Sequence, residues 1–318
     1  MTANPLILGT ANLGLGDGGR DTAFNLLDSY LELGGTTIDT AAIYSDWVPG
    51  EIGRSEAVIG QWMADRGNRD TLRIVTKGAH PRLDTPTVGR CDRASIRGDV
   101  ELSLKRLQTD RIDLYLLHRD DPKIPAADIL GTLDELVAEG KLLALGCSNW
   151  TLPRIREAER YGGFSANQVL GNVMVRLMNP PPDPTNLRLD PPMFHHAVNN
   201  GIELQLYTSQ CQGLFDKRRT GALIPANYAN PGCDRAATQI EAIAASLGLD
   251  PGQLALAFLC ALAPEVHPII GPRDSAQLRH SYAAGSLALD AATVSAIAEA
   301  AGMTGYLAER SARNDWRS

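Results

Sequence analysis

The sequence predicts an α/β protein in which eight parallel strands close into a (β/α)₈ barrel, with long loops at the carboxyl ends of the strands. Short apolar runs alternate with longer amphipathic stretches through most of the 318 residues. The runs are almost continuously apolar, as expected for parallel strands that helices cover on the outside. The length fits a single domain over residues 1–318, because α/β barrels of this size routinely fold as one domain.

Eight candidate strands follow one another along the chain. They are LILG (6–9), TTID (36–39), LRIVTK (72–77), IDLYLLH (112–118), LLALGCS (142–148), SANQV (165–169), IELQLY (202–207) and HPIIG (267–271). The amphipathic stretches with helical periodicity are 21–35, 55–64, 94–107, 127–140 and 234–248. An open doubly wound sheet is the structural alternative, but no G-x-G-x-x-G motif follows an early strand.

Two long segments without a clear periodic pattern follow the sixth and seventh strands. They are NPPPDPTNLRLDPP (179–192) and the segment 209–234. Irregular segments of this length in a compact domain are usually functional loops. On a barrel, both would cover the catalytic face.

Composition argues against several classes of partner. The net charge of −7 and the pI near 5.4 do not favour nucleic acid or an anionic membrane. No apolar run approaches the roughly 20 residues of a membrane helix, and the N-terminus lacks the features of a signal peptide. The five cysteines are scattered and odd in number, which predicts a reducing, cytoplasmic location. The histidines show no metal-ligand spacing, so we expect no metal.

Four polar residues stand where three predicted strands end. Asp39, Lys77 and His118 close the runs GGTTIDT, TLRIVTK and RIDLYLLH, and Tyr44 lies in the loop beyond the first run. Active-site groups of parallel barrels project from the carboxyl ends of the strands. The Lys77 ammonium needs a paired charge, which Asp39 can supply. The ammonium is expected to lower the pKa of Tyr44 and make it a general acid, while His118 orients the substrate oxygen.

Other interpretations of the same residues stay open at this level. Lys77 and Asp39 could form a structural ion pair, and His118 could be a structural histidine at a strand end. A Schiff-base lyase would use Lys77 as its nucleophile, but this requires a neutral, unpaired amine and a nearby Asp39 opposes it.

Four motifs, in order, resemble those of the aldo-keto reductase family over nearly the whole chain. The segment IDTAAIYSDWVPGEIGRSEAVIG resembles the family signature D-x-A-x-x-Y…G-x-S-E-x-x-(I/L)-G. IVTKG and DLYLLHR resemble the strands that carry the family's lysine and histidine. GKLLALGCSNW resembles the fifth-strand motif that ends in a Ser-Asn pair.

The resemblance implies a (β/α)₈ barrel that binds NADP(H) and transfers hydride to a carbonyl carbon while Tyr44 protonates the oxygen. It implies that Ser148, Asn149 and Gln168 bind the nicotinamide carboxamide and that Tyr207 stacks on the ring. One region resembles the family's loop over the cofactor pyrophosphate. It adds four residues to the implied cofactor contacts: Ser209, Gln210, Gly213 and Leu214. The DKRR run that follows, residues 216–219, could clamp phosphates or be a solvated loop.

The last strand and the start of the next helix resemble the family's site for the adenosine 2′-phosphate. Gly271, Arg273 and Gln277 match one variant of that motif, and a guanidinium at a helix start suits a phosphate. The common Glu–Asn pair at the motif's end reads His280–Ser281 here, which leaves use of NAD(H) open.

The leading hypothesis is an NADP(H)-dependent reductase of a small aldehyde, ketone or sugar-type carbonyl. Trp47, Trp150 and the two long segments are the candidate walls of the substrate site. A cofactor-binding regulatory or redox-sensor subunit with slow turnover is the alternative. The substrate and the oligomeric state are not encoded in any motif of the sequence.

Overall fold

Eight parallel strands form a closed barrel in the order in which they occur in the chain. The computed structural model describes residues 4–15 and 19–307. The strands are β1 (Ile7–Gly9), β2 (Thr37–Asp39), β3 (Arg73–Gly78), β4 (Leu114–Leu117), β5 (Leu145–Ser148), β6 (Ala166–Leu170), β7 (Glu203–Tyr207) and β8 (Val266–Ile270). Each coincides with a predicted strand, so the predicted (β/α)₈ barrel is confirmed.

The helices of the described residues follow the strands. They are α1 (Gly19–Glu32), α2 (Arg54–Arg66), α3 (Arg93–Leu107), α4 (Ala126–Ala138), α5 (Leu152–Ala158), α6 (Pro191–Asn200), α7 (Leu214–Thr220), α8 (Pro231–Leu247), α9 (Pro251–Leu262), α10 (Ser275–Ala283) and α11 (Ala291–Ala300). Among residues 4–15 and 19–307, no single helix is long and apolar enough to span a membrane; α8 and α9 pass that test only as a pair bent by 95°.

The expectation that segment 209–234 is irregular was wrong in part. The seven-residue helix α7 lies within it, bounded by Gly213 and Gly221, which both adopt left-handed backbone conformations. Leu214 and Phe215 bury the apolar face of this helix. Its remaining residues are charged or polar, which conceals the short helical pattern in the sequence.

Residue contacts divide the chain into two compact units, and each is described by itself. The first unit comprises residues 6–168 and 269–279, and the second comprises 169–268 with both chain ends. The second unit has one large apolar core, to which β7, α8, α9 and α11 contribute. That all 318 residues act as one domain stays a prediction.

Side chains of the first unit alternate between the barrel interior and the surrounding helices. Leu114 and Leu116 pack inward with Val75 and Ala166, whereas Tyr115 and Leu117 pack outward against α3 and α4. This alternation is the two-residue period of a strand. On β3, β4 and β6, the inward-facing side chains continue with the same period to a polar residue at the carboxyl end.

Candidate active site

The side chains that face the barrel interior explain why polar residues gather at one end of the first unit. Lys77 follows Val75 by two residues on β3, and His118 follows Leu116 by two residues after β4. Gln168 follows Ala166 in the same way on β6, and Ser148 is its register partner on β5. Asp39 pairs in register with the inward Val75. The strand period therefore turns apolar rows into a polar cluster where the strands end.

Asp39, Lys77 and Tyr44 form one hydrogen-bonded group. The Lys77 ammonium lies 2.7 Å from Asp39 Oδ1 and donates to the Thr40 carbonyl at 2.7 Å and to Tyr44 Oη at 3.0 Å. Tyr44 Oη in turn donates to Asp39 Oδ2 at 3.5 Å. Lys77 is fully buried and Asp39 is 2% exposed.

The contacts of Lys77 bear on its protonation state. An ammonium has three N–H donors, and Lys77 uses one on each of three oxygen atoms. The pKa of Lys77 is lowered, because burial outweighs the charge and hydrogen bond of Asp39, which act in the opposite direction. The three donated bonds favour the charged form and disfavour the neutral amine that a Schiff-base mechanism requires.

The expectation that the pKa of Tyr44 is lowered was wrong for this structure. Burial raises the pKa of Tyr44 well above its ordinary value, and the Asp39 carboxylate raises it further. Arg119 acts in the opposite direction but does not outweigh burial. The phenolate is disfavoured because it would be a partly desolvated charge and a second negative charge beside Asp39. Tyr44 therefore holds its proton at neutral pH, as a proton donor must.

His118 is a neutral imidazole next to Tyr44. Burial lowers the pKa of His118 well below its ordinary value, and the charge of Lys77 acts in the same direction. The rings of His118 and Tyr44 have centroids 6.0 Å apart, and His80 lies edge-on to His118 at 4.7 Å. His118 Nδ1 is buried and has no hydrogen-bond partner among the residues the structure describes. Because an N–H left without an acceptor is costly in a buried site, we infer that the neutral ring carries its proton on Nε2.

The loop between β2 and α2 carries Tyr44 and is fastened from both sides. The Ala42 N–H donates to the Lys77 carbonyl at 2.9 Å, and Arg106 donates to the Ala42 carbonyl at 2.9 Å. Arg106 reaches this carbonyl from the last turn of α3 and also lies 3.4 Å from the buried carboxylate of Glu56. Burial raises the pKa of Glu56, whose other oxygen accepts a 2.6 Å bond from Thr76.

The three residues predicted to bind the nicotinamide carboxamide lie next to one another in the first unit. Asn149 donates its side-chain N–H to Ser148 Oγ at 2.9 Å and its backbone N–H to the Gln168 carbonyl at 3.0 Å. All three residues are buried. Gln168 also donates Nε2–H to Asp39 Oδ1 at 2.7 Å. Its side-chain amide therefore contacts the group formed by Asp39, Tyr44, Lys77 and His118, which is called the tetrad below.

The predicted phosphate residues lie at the start of α10. The Arg273 N–H donates to Gln277 Oε1 at 3.0 Å, and the Gln277 N–H donates to Asp274 Oδ1 at 2.8 Å. This is close to a capping box, in which side chains satisfy the first N–H groups of a helix. Gly271 precedes this turn, and the Arg273 side chain is exposed.

In the second unit, the predicted cofactor residues form a tight turn after β7. Tyr207 ends the strand, and Gly213 donates its N–H to the Gln210 carbonyl at 3.0 Å. Gln210 also donates to Ser281 Oγ at 2.9 Å, while Ser209 and Leu214 are buried. In the run 216–219, Arg218 pairs with Glu241 and Asp234, and Arg219 pairs with Asp216. These acidic partners would compete with a phosphate for the two arginines, and the phosphate clamp stays a prediction.

Comparison with known proteins gives the family. Residues 5–301 match the sequence model of the aldo/keto reductase family. The chain belongs to this family. It is therefore an NAD(P)H-dependent oxidoreductase.

Individual relatives resemble the chain over most of their length. The aldo-keto reductase ausK of Aspergillus calidoustus is 31% identical over 317 residues, which cover 91% of this chain and 76% of the relative. An aryl-alcohol dehydrogenase of Pestalotiopsis microspora is 28% identical over 319 residues, which cover 93% of this chain and 78% of the relative. The crystal structure of a thermostable aldo-keto reductase with the inhibitor epalrestat is 26% identical, with a TM-score of 0.71 and coverage of 93% and 94%.

The two tryptophans proposed as walls of the reductase's substrate site differ in their surroundings. Trp47 is 48% exposed and lies edge-on to Tyr44, with ring centroids 6.3 Å apart. The prediction for Trp150 was wrong, because its side chain is fully buried. Its indole packs against Phe164 at 5.0 Å and under the Arg154 guanidinium at 5.1 Å. Trp150 is therefore part of the outer core of the first unit.

Sequence reasoning missed the role of Arg106 in this aldo-keto reductase. The run LKRL gave only a helical pattern, and the contact of Arg106 with Ala42 joins residues 64 positions apart. A basic residue in the last helical turn before β4 was the available signal, but basic residues favour helix carboxyl ends for purely local reasons.

In the described residues, no cluster of three or more histidine, cysteine or acidic side chains could hold a metal ion.

We expect Gly53→Ala to destabilise the protein more than Gly67→Ala. Both glycines flank α2 with left-handed backbones, at φ +65° and +61°. A Cβ on Gly53 would lie 2.0 Å from Arg106 Cζ, whereas a Cβ on Gly67 meets nothing within 4 Å. Displacing Arg106 from Ala42 and Glu56 should add about 1–3 kcal/mol to the loss of unfolding free energy. Urea unfolding measures the difference, and equal losses in both variants would contradict this role of Arg106.

Proposed function

We propose that the protein is an NADPH-dependent carbonyl reductase in which Tyr44 protonates the substrate oxygen. The observation that carries the proposal is the Asp39–Lys77–Tyr44 group, which holds a neutral phenol against an ammonium in a buried site. A phenol so placed is suited to give a proton to a developing alkoxide. The substrate class is a small aldehyde, ketone or sugar-type carbonyl.

Each residue of the tetrad has a distinct task. Tyr44 donates its proton to the carbonyl oxygen as negative charge develops there. Lys77 stabilises the resulting phenolate by its 3.0 Å bond to Tyr44 Oη, and Asp39 holds Lys77 in its charged form. His118, as a neutral Nε2–H donor, orients the carbonyl oxygen towards Tyr44.

The first unit carries a donor set that fits a nicotinamide carboxamide. Ser148, Asn149 and Gln168 offer a hydroxyl and two amides in a buried row, and a primary carboxamide needs both donors and acceptors. The nicotinamide cofactor, when bound, supplies the hydride. Assignment of Tyr207, Ser209, Gln210, Gly213 and Leu214 to the same cofactor rests on the family resemblance.

Aromatic carbonyls belong in the first substrate panel. One relative, 28% identical, is named an aryl-alcohol dehydrogenase, and oxidation of an aryl alcohol is the reverse of aryl-aldehyde reduction. The half-exposed indole of Trp47 beside Tyr44 would offer such a ring an edge or face contact. Initial rates of NADPH and NADH oxidation across aryl aldehydes, alkyl aldehydes, ketones and aldoses test the function.

Arg273→Ala is expected to weaken NADPH binding and leave NADH binding almost unchanged. A guanidinium at the start of α10 would pair with the 2′-phosphate, which NADH lacks. The loss of one charge-assisted contact should raise the Kd for NADPH about tenfold or more. Arg279→Ala is the matched control, because Arg279 is exposed on the same helix and pairs only loosely with Glu32, at 3.9 Å. An equal loss for both cofactors would show that Arg273 does not contact the 2′-phosphate.

A further inference from the structure

Gln168 makes a contact with the tetrad that its predicted role in cofactor binding does not require. Its Nε2–H donates to Asp39 Oδ1 at 2.7 Å, and both side chains are 2% exposed. The bond joins β6 to β2, across 129 residues of sequence. An ionised carboxylate can only accept hydrogen bonds, so the amide nitrogen of Gln168 must face Asp39.

Asp39 connects Gln168 to the proton donor, because its carboxylate contacts both Gln168 and Tyr44. Its Oδ1 also lies 2.7 Å from the Lys77 ammonium, and its Oδ2 accepts the 3.5 Å bond from Tyr44. A buried ion pair is stable only when its remaining lone pairs are satisfied and its geometry is fixed. The Gln168 amide satisfies one of those lone pairs and stops the carboxylate from rotating away from Lys77.

We propose that Gln168 is a positioning residue that fixes Asp39 and thereby aligns Lys77 and Tyr44 for proton transfer. The proposal deepens, and rests on, the carbonyl reductase function proposed above. A primary amide carries two N–H donors and a carbonyl acceptor, so one side chain can contact both Asp39 and a nicotinamide carboxamide. Gln168 then connects the cofactor-binding residues to the proton donor Tyr44.

Two substitutions separate this role from simple cofactor binding. Gln168→Leu removes the donor to Asp39, and kcat at saturating NADPH should fall about tenfold, the usual effect of losing one bond to a buried charge. Gln168→Glu keeps the shape but places a second carboxyl against Asp39. Two buried carboxyls in contact share a proton, which raises one of their apparent pKa values strongly.

The expected result for Gln168→Glu is a new step in the pH profile. At low pH the introduced carboxyl is protonated and donates to Asp39 as the amide does, so kcat is close to that of the wild type. As pH rises through the new apparent pKa, the shared proton is lost and the second negative charge makes Tyr44 a weaker acid, so kcat falls. Asp39 is the titratable group in direct contact with this position in the first unit. Lys77, Tyr44 and His118 adjoin it, and the charges of Arg119 and Glu56 also act on this group.

Ser148→Ala is the matched control, because Ser148 has the same predicted carboxamide role and is the register partner of Gln168. It should raise the Kd for NADPH while the pH profile keeps the shape of the wild-type profile. A wild-type pH profile in both Gln168 variants, with only a higher Kd for NADPH, would overturn the proposal. Thermal unfolding of each variant establishes that it is folded.

An infrared titration of the cofactor-free protein gives a readout that does not depend on turnover. Gln168→Glu should show a protonated carboxyl band that is absent from the wild type and disappears at the same pH as kcat falls. If the introduced carboxyl ionises as an ordinary glutamate does, the contact with Asp39 is absent and the proposal fails. If the wild type reduces no carbonyl with NADPH, the proposed function fails separately, while the infrared titration still decides whether position 168 contacts Asp39.

Discussion

Tyr44→Phe is expected to lower kcat for carbonyl reduction by about 10²-fold or more, because general acid catalysis typically contributes 10²–10⁴. The substitution removes the proton donor and keeps the ring that packs near His118 and Trp47. The Kd for NADPH should change little, since the lost hydroxyl contacts Lys77 and Asp39. Steady-state rates together with a fluorescence titration of NADPH measure both quantities.

Tyr161→Phe provides the control for Tyr44→Phe. It removes a hydroxyl from a side chain that is 47% exposed and belongs to no predicted site. Near-normal kcat in Tyr44→Phe would contradict the assignment of Tyr44 as the acid.

The direction of the wild-type pH dependence follows from the pKa of Tyr44. Because this pKa is raised well above its ordinary value, the phenol stays protonated through neutral pH. Loss of reductase activity from ionisation of Tyr44 should therefore appear only in strongly alkaline solution.

Lys77→Met is expected to impair both turnover and stability. It removes the ammonium that stabilises the Tyr44 phenolate and leaves the Asp39 carboxylate buried without its partner. Breaking a buried ion pair from one side typically costs about 3–5 kcal/mol. Urea unfolding measures the loss of unfolding free energy, and steady-state kinetics measures the loss in kcat.

The double variant Asp39→Asn/Lys77→Met distinguishes the two effects. It removes both charges, so the uncompensated carboxylate disappears and much of the lost unfolding free energy should return. Turnover should stay low, because no ammonium remains beside Tyr44. If the double variant recovers kcat together with stability, the ion pair is structural only, as one interpretation of the sequence allows.

The strand period made much of the site predictable. Lys77, His118 and Gln168 each continue an apolar inward row by two residues, and a sequence shows such rows directly. The pairing of Lys77 with Asp39 followed from charge and from the expected closeness of neighbouring strand ends. Lys77 and His118 were predicted from their place at the ends of apolar runs and from the convergence of parallel strands, whereas Gln168 was named only from the family resemblance.

Features that depend on burial or on distant contacts were not predictable. The shift in the pKa of Tyr44 has the opposite sign to the one expected, because burial outweighs nearby cations and the sequence does not show the degree of burial. Trp150 follows a motif at a strand end, yet it packs against Phe164 in the outer core. The contacts of Arg106 with Ala42 and of Gln168 with Asp39 join residues far apart in the chain.

Transfer of deuterium from NADPH labelled at the nicotinamide C4 position tests the central claim most directly. The wild type should place deuterium on the carbinol carbon of the alcohol formed from at least one member of the aldehyde and ketone panel, as mass spectrometry would show. Under the same conditions, Tyr44→Phe should form that labelled product at least about 10²-fold more slowly. Tight NADPH binding without labelled alcohol from any member of the panel would contradict the account and favour a cofactor-binding sensor.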